Sequence, residues 1–177
     1  MAEHVAFLRG INVGKRKASK EQLQVAFERL GFGDVSTFRA SGNVLFEAGS
    51  GRPKPEEIEA ELVSELGFQV TVFLRSAKQV AAVAALEPFS RAQLSASRGK
   101  LQVSFLMRRP AKTVRAKALE LATTDDRLVL DGSELYWLPK GGTQDSGLDS
   151  KALERLLGTF TMRTKGTVEL IAERLSG

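Results

Sequence analysis

Two kinds of hydrophobic pattern alternate along the chain. Short apolar runs of strand length give way to longer segments whose apolar residues recur every three or four positions. The first run, at about residues 4 to 9, predicts a strand. A helix then starts at Ser19, where "SKEQ" has the serine and glutamine of a capping box and Leu23, Ala26, Phe27 and Leu30 share one face. Gly31 is placed to cap its end. "VSTFRA" and "NVLFEA" read as a hairpin joined through Ser41 and Gly42. After the loop "GSGRPKP", Pro55 and early glutamates open a second helix that stops at Gly67, and "FQVTVFL" completes β-α-β-β-α-β.

The second half opens on another capping box, "SAKQ", whose helix runs to about Leu86. The polar stretch "EPFSRAQLSASRGK" has the length of a mobile loop. The earlier order then returns. Strand "LQVSFLM" is followed by a helix from about Ala111 to Leu121, strands "RLVL" and "ELYWL" around Asp131-Gly132, and a helix from about Ser146 to Leu157. An extended piece at "FTMR" leads to a last helix ending near Leu175. The reading is α+β, two tandem ferredoxin-like repeats over 1–75 and 76–177, with extra helices in the second and the two expected to pack as one compact unit. That topology puts the third strand between the first and second. It therefore brings "RGINVG" beside "SGN", and Arg108 and Arg109 beside Asp131, Gly132 and Ser133.

Composition narrows the chemistry. The 177 residues are 42% hydrophobic, enough for a real core, and no apolar run approaches the roughly 20 residues that span a bilayer. A cytoplasmic protein without a membrane partner is expected. With no cysteine and one histidine, thiolate catalysis, disulfide frameworks and imidazole clusters are excluded. His4, on an apparent strand, reads as a surface or packing residue in preference to a general base.

Charge is uneven. The first 75 residues carry ten Lys and Arg against ten Asp and Glu, the remainder sixteen against eleven. Between Glu87 and Glu120 lie eight basic residues and no acid, including Arg98, Lys100, Arg108, Arg109, Lys112 and Arg115. Such a run suits a nucleic acid or another anionic ligand, and a solvated basic face is the competing explanation.

The loop after the first strand is not a nucleotide P-loop. Gly10 and Gly14 are one residue too close, and Arg16 stands where the hydroxyl belongs. A looser anion site from Arg9, Asn12, Lys15 and the loop amides is one reading, and a tight turn that Asn12 closes on its own backbone is the other. Ser41 and Asn43 are turn residues that gain functional weight if they face this loop. "KGGTQDSG" reads as a linker ending in a Ser146 cap, with an anion site at the helix start as the alternative. The RNA-recognition aromatic motif is absent, so Phe7, Phe46, Phe73, Phe105, Tyr136 and Trp137 are assigned to the core. Asp125 and Asp126 alone are too few for a metal site, and no cofactor is expected.

"LRGINVG", followed by "SGNV" and then by "TMRTKGTV", resembles the bacterial domain of unknown function 1697 family over nearly the whole length. The third motif departs at Thr164, Lys165 and Gly166, where the family often has a tryptophan-containing stretch. The resemblance implies an α+β fold compatible with two ferredoxin-like repeats, and brings no established activity. The matching motif residues include Arg9, Asn12, Ser41, Asn43, Arg163 and Thr167, from which a polar, anion-accepting cluster is expected. The function expected is non-catalytic binding of nucleic acid or another anionic ligand. The alternative is an enzyme acting on a small phosphorylated or carboxylated metabolite clamped by Arg9 and Arg163.

Overall fold

A computed structural model describes residues 2–39 and 42–177, and among them it is a mixed α+β protein with two four-stranded antiparallel sheets and seven α-helices. The chain divides into two compact units, Met1–Ala82 with Ile171–Gly177, and Val83–Leu170. Among the described residues no helix is long and apolar enough to cross a membrane.

In the first unit, β1 (His4–Arg9), β2 (Gly33–Phe38), β3 (Asn43–Glu47) and β4 (Thr71–Ser76) lie in the order β2-β3-β1-β4, with α1 (Lys20–Arg29) and α2 (Pro55–Leu66) in the connections. β1 is apolar from Val5 to Leu8, and its pleat sends Ala6 and Leu8 into a core with Leu23 and Phe27 of α1 and Ile58 and Leu62 of α2. The helix ends follow the local chemistry. Ser19 accepts from the Gln22 amide at 3.1 Å while the Gln22 side chain accepts from the Ser19 amide at 3.0 Å. α2 starts on Pro55 and stops where Gly67 takes φ 78°, a conformation that costs glycine little.

α3 (Ala77–Ala85) leads on to the second unit, in which β5 (Gln102–Leu106), β6 (Asp126–Asp131), β7 (Glu134–Pro139) and β8 (Phe160–Thr164) repeat the arrangement as β6-β7-β5-β8. Its helices are α4 (Arg91–Ser95), α5 (Lys112–Leu119) and α6 (Ser150–Leu157), with a 3₁₀ turn at Thr143–Asp145, and α7 (Lys165–Ser176) starts in this unit and ends in the first. The core here joins Leu106, Ala118, Leu130, Leu135, Leu153 and Phe160.

Three expectations change. The polar stretch 87–100 is not structureless, because Ser90 and Gln93 form a capping box that starts α4. Five residues are too few for a helical period to register, although the S-x-x-Q signature is that of Ser19 and of Ser76, which caps α3. α6 begins at Ser150 on an Asp149 cap and not at Ser146, since Ser146 is engaged elsewhere. "FTMR" is a full strand paired with β5 along its length.

One pair of corresponding positions in the two sheets, Ala6 and Ser104, differs by a hydroxyl. Ala6 sits opposite Val44 and Leu74, and Ser104 sits opposite Leu135 and Met162. Ser104 is 1% exposed and its hydroxyl has no hydrogen-bond partner among the described residues. Ser104→Ala, which copies the first sheet, is expected to leave stability unchanged or raise it by about 1 kcal/mol in urea unfolding.

Candidate functional site

The loop from β1 to α1 folds back on itself. The Asn12 amide donates to Arg16 O at 2.6 Å, the Arg16 amide to Val13 O at 3.0 Å, and the Ala18 amide to Asn12 Oδ1 at 3.3 Å. Asn12 holds φ 55°, a left-handed conformation that asparagine tolerates. Gly10 has φ 93°, and a Cβ there would sit 3.3 Å from Gln69 O, so both backbone and space favour glycine. Several of the amides an anion would need are therefore spent on closing the turn. Lys15 projects into solvent at its tip and Arg9 is partly buried at its base.

The β2–β3 turn does meet this loop. The Leu8 amide donates to Gly42 O at 2.9 Å, and Asn43 pairs with Phe7. Asn43 is buried, and its Nδ2 donates to Phe38 O at 2.9 Å, which ties off the hairpin. Ser41 lies outside the described residues. Arg163 and Thr167 belong to the second unit. Arg163 Nη1 donates to Thr161 Oγ1 at 2.8 Å and to Met162 O at 2.7 Å, and burial pulls its pKa down to about 10, still charged at neutral pH. The Thr167 amide donates to Thr164 Oγ1 at 3.2 Å, the hydrogen bond of a cap on α7.

The basic stretch is continuous in sequence but divided in space. Arg98 and Lys100 precede β5 and Arg108 and Arg109 follow it, so the five-residue strand holds the two groups about 17 Å apart. The Leu106 amide donates to Ser133 O at 2.9 Å, which sets Arg108 and Arg109 beside the β6–β7 turn. Lys112 and Arg115 lie one turn apart on α5. All but the half-buried Arg115 are exposed, and none of the six makes an ion pair among the described residues.

Arg98 also lines a cleft of about 480 Å³ with Asp125, Asp126, Lys140, Gly142 and Ser146. Lys140 pairs with Asp125 at 3.2 Å on its rim. At its floor Asp126 is 1% exposed, and its Oδ1 accepts from Trp137 Nε1 at 2.9 Å and Ser146 Oγ at 2.6 Å while Oδ2 accepts from Thr123 Oγ1 at 2.8 Å. Burial pushes this carboxyl up, and the three hydrogen bonds, from Ser146, Thr123 and Trp137, together outweigh it and hold its pKa below the ordinary value. Among the described residues no group of three or more His, Asp or Glu side chains is placed to hold a metal ion.

The sequence reading treated Ser146 as a helix cap and did not connect it with Asp126 and Trp137. Hydrogen bonding between residues 11 and 20 positions apart has no local signature. It also passed over Arg75, 7% exposed on β4. There a signal existed, an arginine within the apolar run "VFLRS" that pairs with Val5 as Arg163 pairs with Val103.

Among solved structures, the chain is similar to the conserved bacterial protein SP0830 from Streptococcus pneumoniae, at 22% identity and a TM-score of 0.72, over 100% of this chain and 99% of that one. At that identity the likeness speaks to fold. A comparison with curated proteins finds no match. The model of one family, described as "Protein of unknown function (DUF1697)", matches residues 1–136, which takes in "LRGINVG" and "SGNV" and stops short of Arg163 and Thr167. That match covers well over half of the chain, and the protein belongs to this family.

Proposed function

We propose that the protein is a non-catalytic binder of polyanions, nucleic acid foremost, acting in the cytoplasm through the surface where β5 runs into α5. The observation that carries this reading is the start of α5. Every other helix among the described residues opens on a capping side chain or an early acid, Ser19 and Glu21 at α1, Glu56 and Glu57 at α2, Ser76 at α3, Ser90 at α4, Asp149 at α6 and Thr164 at α7. α5 does the opposite. Its N-cap is Ala111, which offers no side-chain acceptor, its first turn has no acid, and Lys112 stands at its first position with Arg108 and Arg109 just before it. Uncapped amides, the positive end of the dipole and three exposed cations that make no ion pair among the described residues lie together, and phosphate oxygens complement them.

Each unit is read as ferredoxin-like. The order β2-β3-β1-β4, and its repeat as β6-β7-β5-β8, supports this, with β3 and β7 each antiparallel to both neighbours. In such a unit the end of the first strand and the following loop form one rim with the central turn, and Arg108, Arg109 and Ser133 lie on that rim.

Fluorescence anisotropy of labelled single-stranded RNA, single-stranded DNA and duplex DNA across a salt series tests the reading. Binding is expected to weaken linearly in log salt. Arg108→Ala/Arg109→Ala is expected to lower the slope by about 0.7 to 0.9 per lost phosphate contact. A folded double variant that binds all three probes with the original slope overturns the proposal.

A further inference from the structure

The β1–α1 loop of the first unit has a counterpart in the second, the connection from β5 to α5. Each holds an apolar side chain out to solvent. Val13 is 66% exposed and Met107 51%, the two largest values for large hydrophobic side chains among the described residues. Both stand among cations. Val13 is followed by Lys15, Arg16 and Lys17, and Met107 by Arg108, Arg109 and Lys112, all six exposed and without an ion pair among the described residues. The first tip is held in shape by its own backbone. Val13 and Arg16 form an antiparallel bridge, and Ile11 and Ala18 on either side are buried in the core of the unit.

A single exposed apolar side chain is ordinary, but here two occupy equivalent places, each beside three unpaired cations. We infer that both connections are contacts for a single-stranded nucleic acid, with the cations on its phosphates and Val13 and Met107 each against a base face. The inference rests on the nucleic-acid reading and names its ligand class. Every nucleotide of a single strand offers both complements, a phosphate and a base face open to contact. In a duplex those faces are stacked away, and reaching one requires opening a base step. No aromatic side chain of the described residues is exposed, so apolar contact with a base falls to aliphatic ones. A tip already fixed by its hydrogen bonds and its buried flanks loses little freedom on binding.

A labelled oligothymidylate and a blunt duplex with the same number of phosphates are compared by anisotropy across a salt series. The parent is measured beside Val13→Ser, Met107→Ser and Lys15→Ala/Lys17→Ala, all at exposed positions. The oligothymidylate is expected to bind more tightly than the duplex. Val13→Ser and Met107→Ser should each weaken its binding by about threefold to tenfold and leave the duplex unaffected. The salt slope should not change in either, because an apolar contact releases no counterions. Lys15→Ala/Lys17→Ala should lower the slope, by about 0.7 per lost phosphate contact. Parental affinity for the oligothymidylate in either serine variant, or an equal loss on the duplex, overturns this inference. The nucleic-acid reading survives that result if Arg108→Ala/Arg109→Ala still lowers the slope, whereas binding of neither probe overturns both.

Discussion

Asp126→Ala is expected to destabilise the second unit by about 3 kcal/mol or more. The substitution strands three donors around a buried site, Trp137 Nε1, Ser146 Oγ and Thr123 Oγ1. Each buried donor left without a partner costs about 1 to 3 kcal/mol, and the rigid indole N–H has no rotor with which to find another. Asp126→Asn keeps one oxygen for Trp137 and Ser146 and is expected to cost less, about 1 to 2 kcal/mol. The two variants also differ from the parent in acid. The Asp126 pKa is lowered in the folded state, so its contribution is complete above the ordinary value of 3.8 and is lost as pH falls through the lower folded value. Acid unfolding followed by the fluorescence of Trp137, the only tryptophan, should therefore show a stability loss below about pH 4 that Asp126→Asn largely lacks. An equal acid dependence in the parent and in Asp126→Asn would show that the carboxylate is not responsible.

Gly99→Ala is the second large effect expected. The segment 97–99 is fastened to 139–141. The Arg98 amide donates to Lys140 O at 2.8 Å, and Ser97 Oγ donates to Pro139 O at 2.5 Å while accepting from the Gly99 amide at 3.0 Å. Both backbones approach so closely that a Cβ on Gly99 would collide with Gly141 O and lie 2.7 Å from Pro139 O. Neither is the movable end of a side chain, so relief requires opening the segment. A cost of about 1 to 3 kcal/mol or more in urea unfolding follows. Gly141→Ala is the matched control, since a Cβ there meets nothing within 4 Å, and it should unfold close to the parent. Because Arg98 and Lys140 line the same cleft as Asp126, a large effect of Gly99→Ala would also show that this wall of the cleft is rigid.

Much of the architecture is legible from single residues. Ser19 with Gln22, Ser76 with Gln79, Pro55 and Gly67 each mark a helix boundary through hydrogen bonds or backbone freedom that act within four residues. The same signature at Ser90 was passed over because the helix it starts is too short to show a period. At the candidate site, the meeting of the β1–α1 loop with Gly42 and Asn43 is legible once a strand order is assumed. What the loop does with its amides is not. Whether Asn12 faces a ligand or closes a turn depends on a φ of 55° and on the position of Ala18, and neither shows in composition or spacing.

By itself, then, the sequence determined the elements, their doubled order and the run of uncompensated charge between Glu87 and Glu120. Periodicity, capping and net charge are properties of neighbouring residues. Tertiary structure alone decided that the run is split by β5, that the α5 start faces solvent without a capping side chain, and that Asp126, Trp137 and Ser146 form one hydrogen-bonded unit. Those groupings join residues far apart in the chain, and they arise from strand register and loop closure, which are set by how whole apolar faces pack and leave no mark on the residues that happen to be brought together.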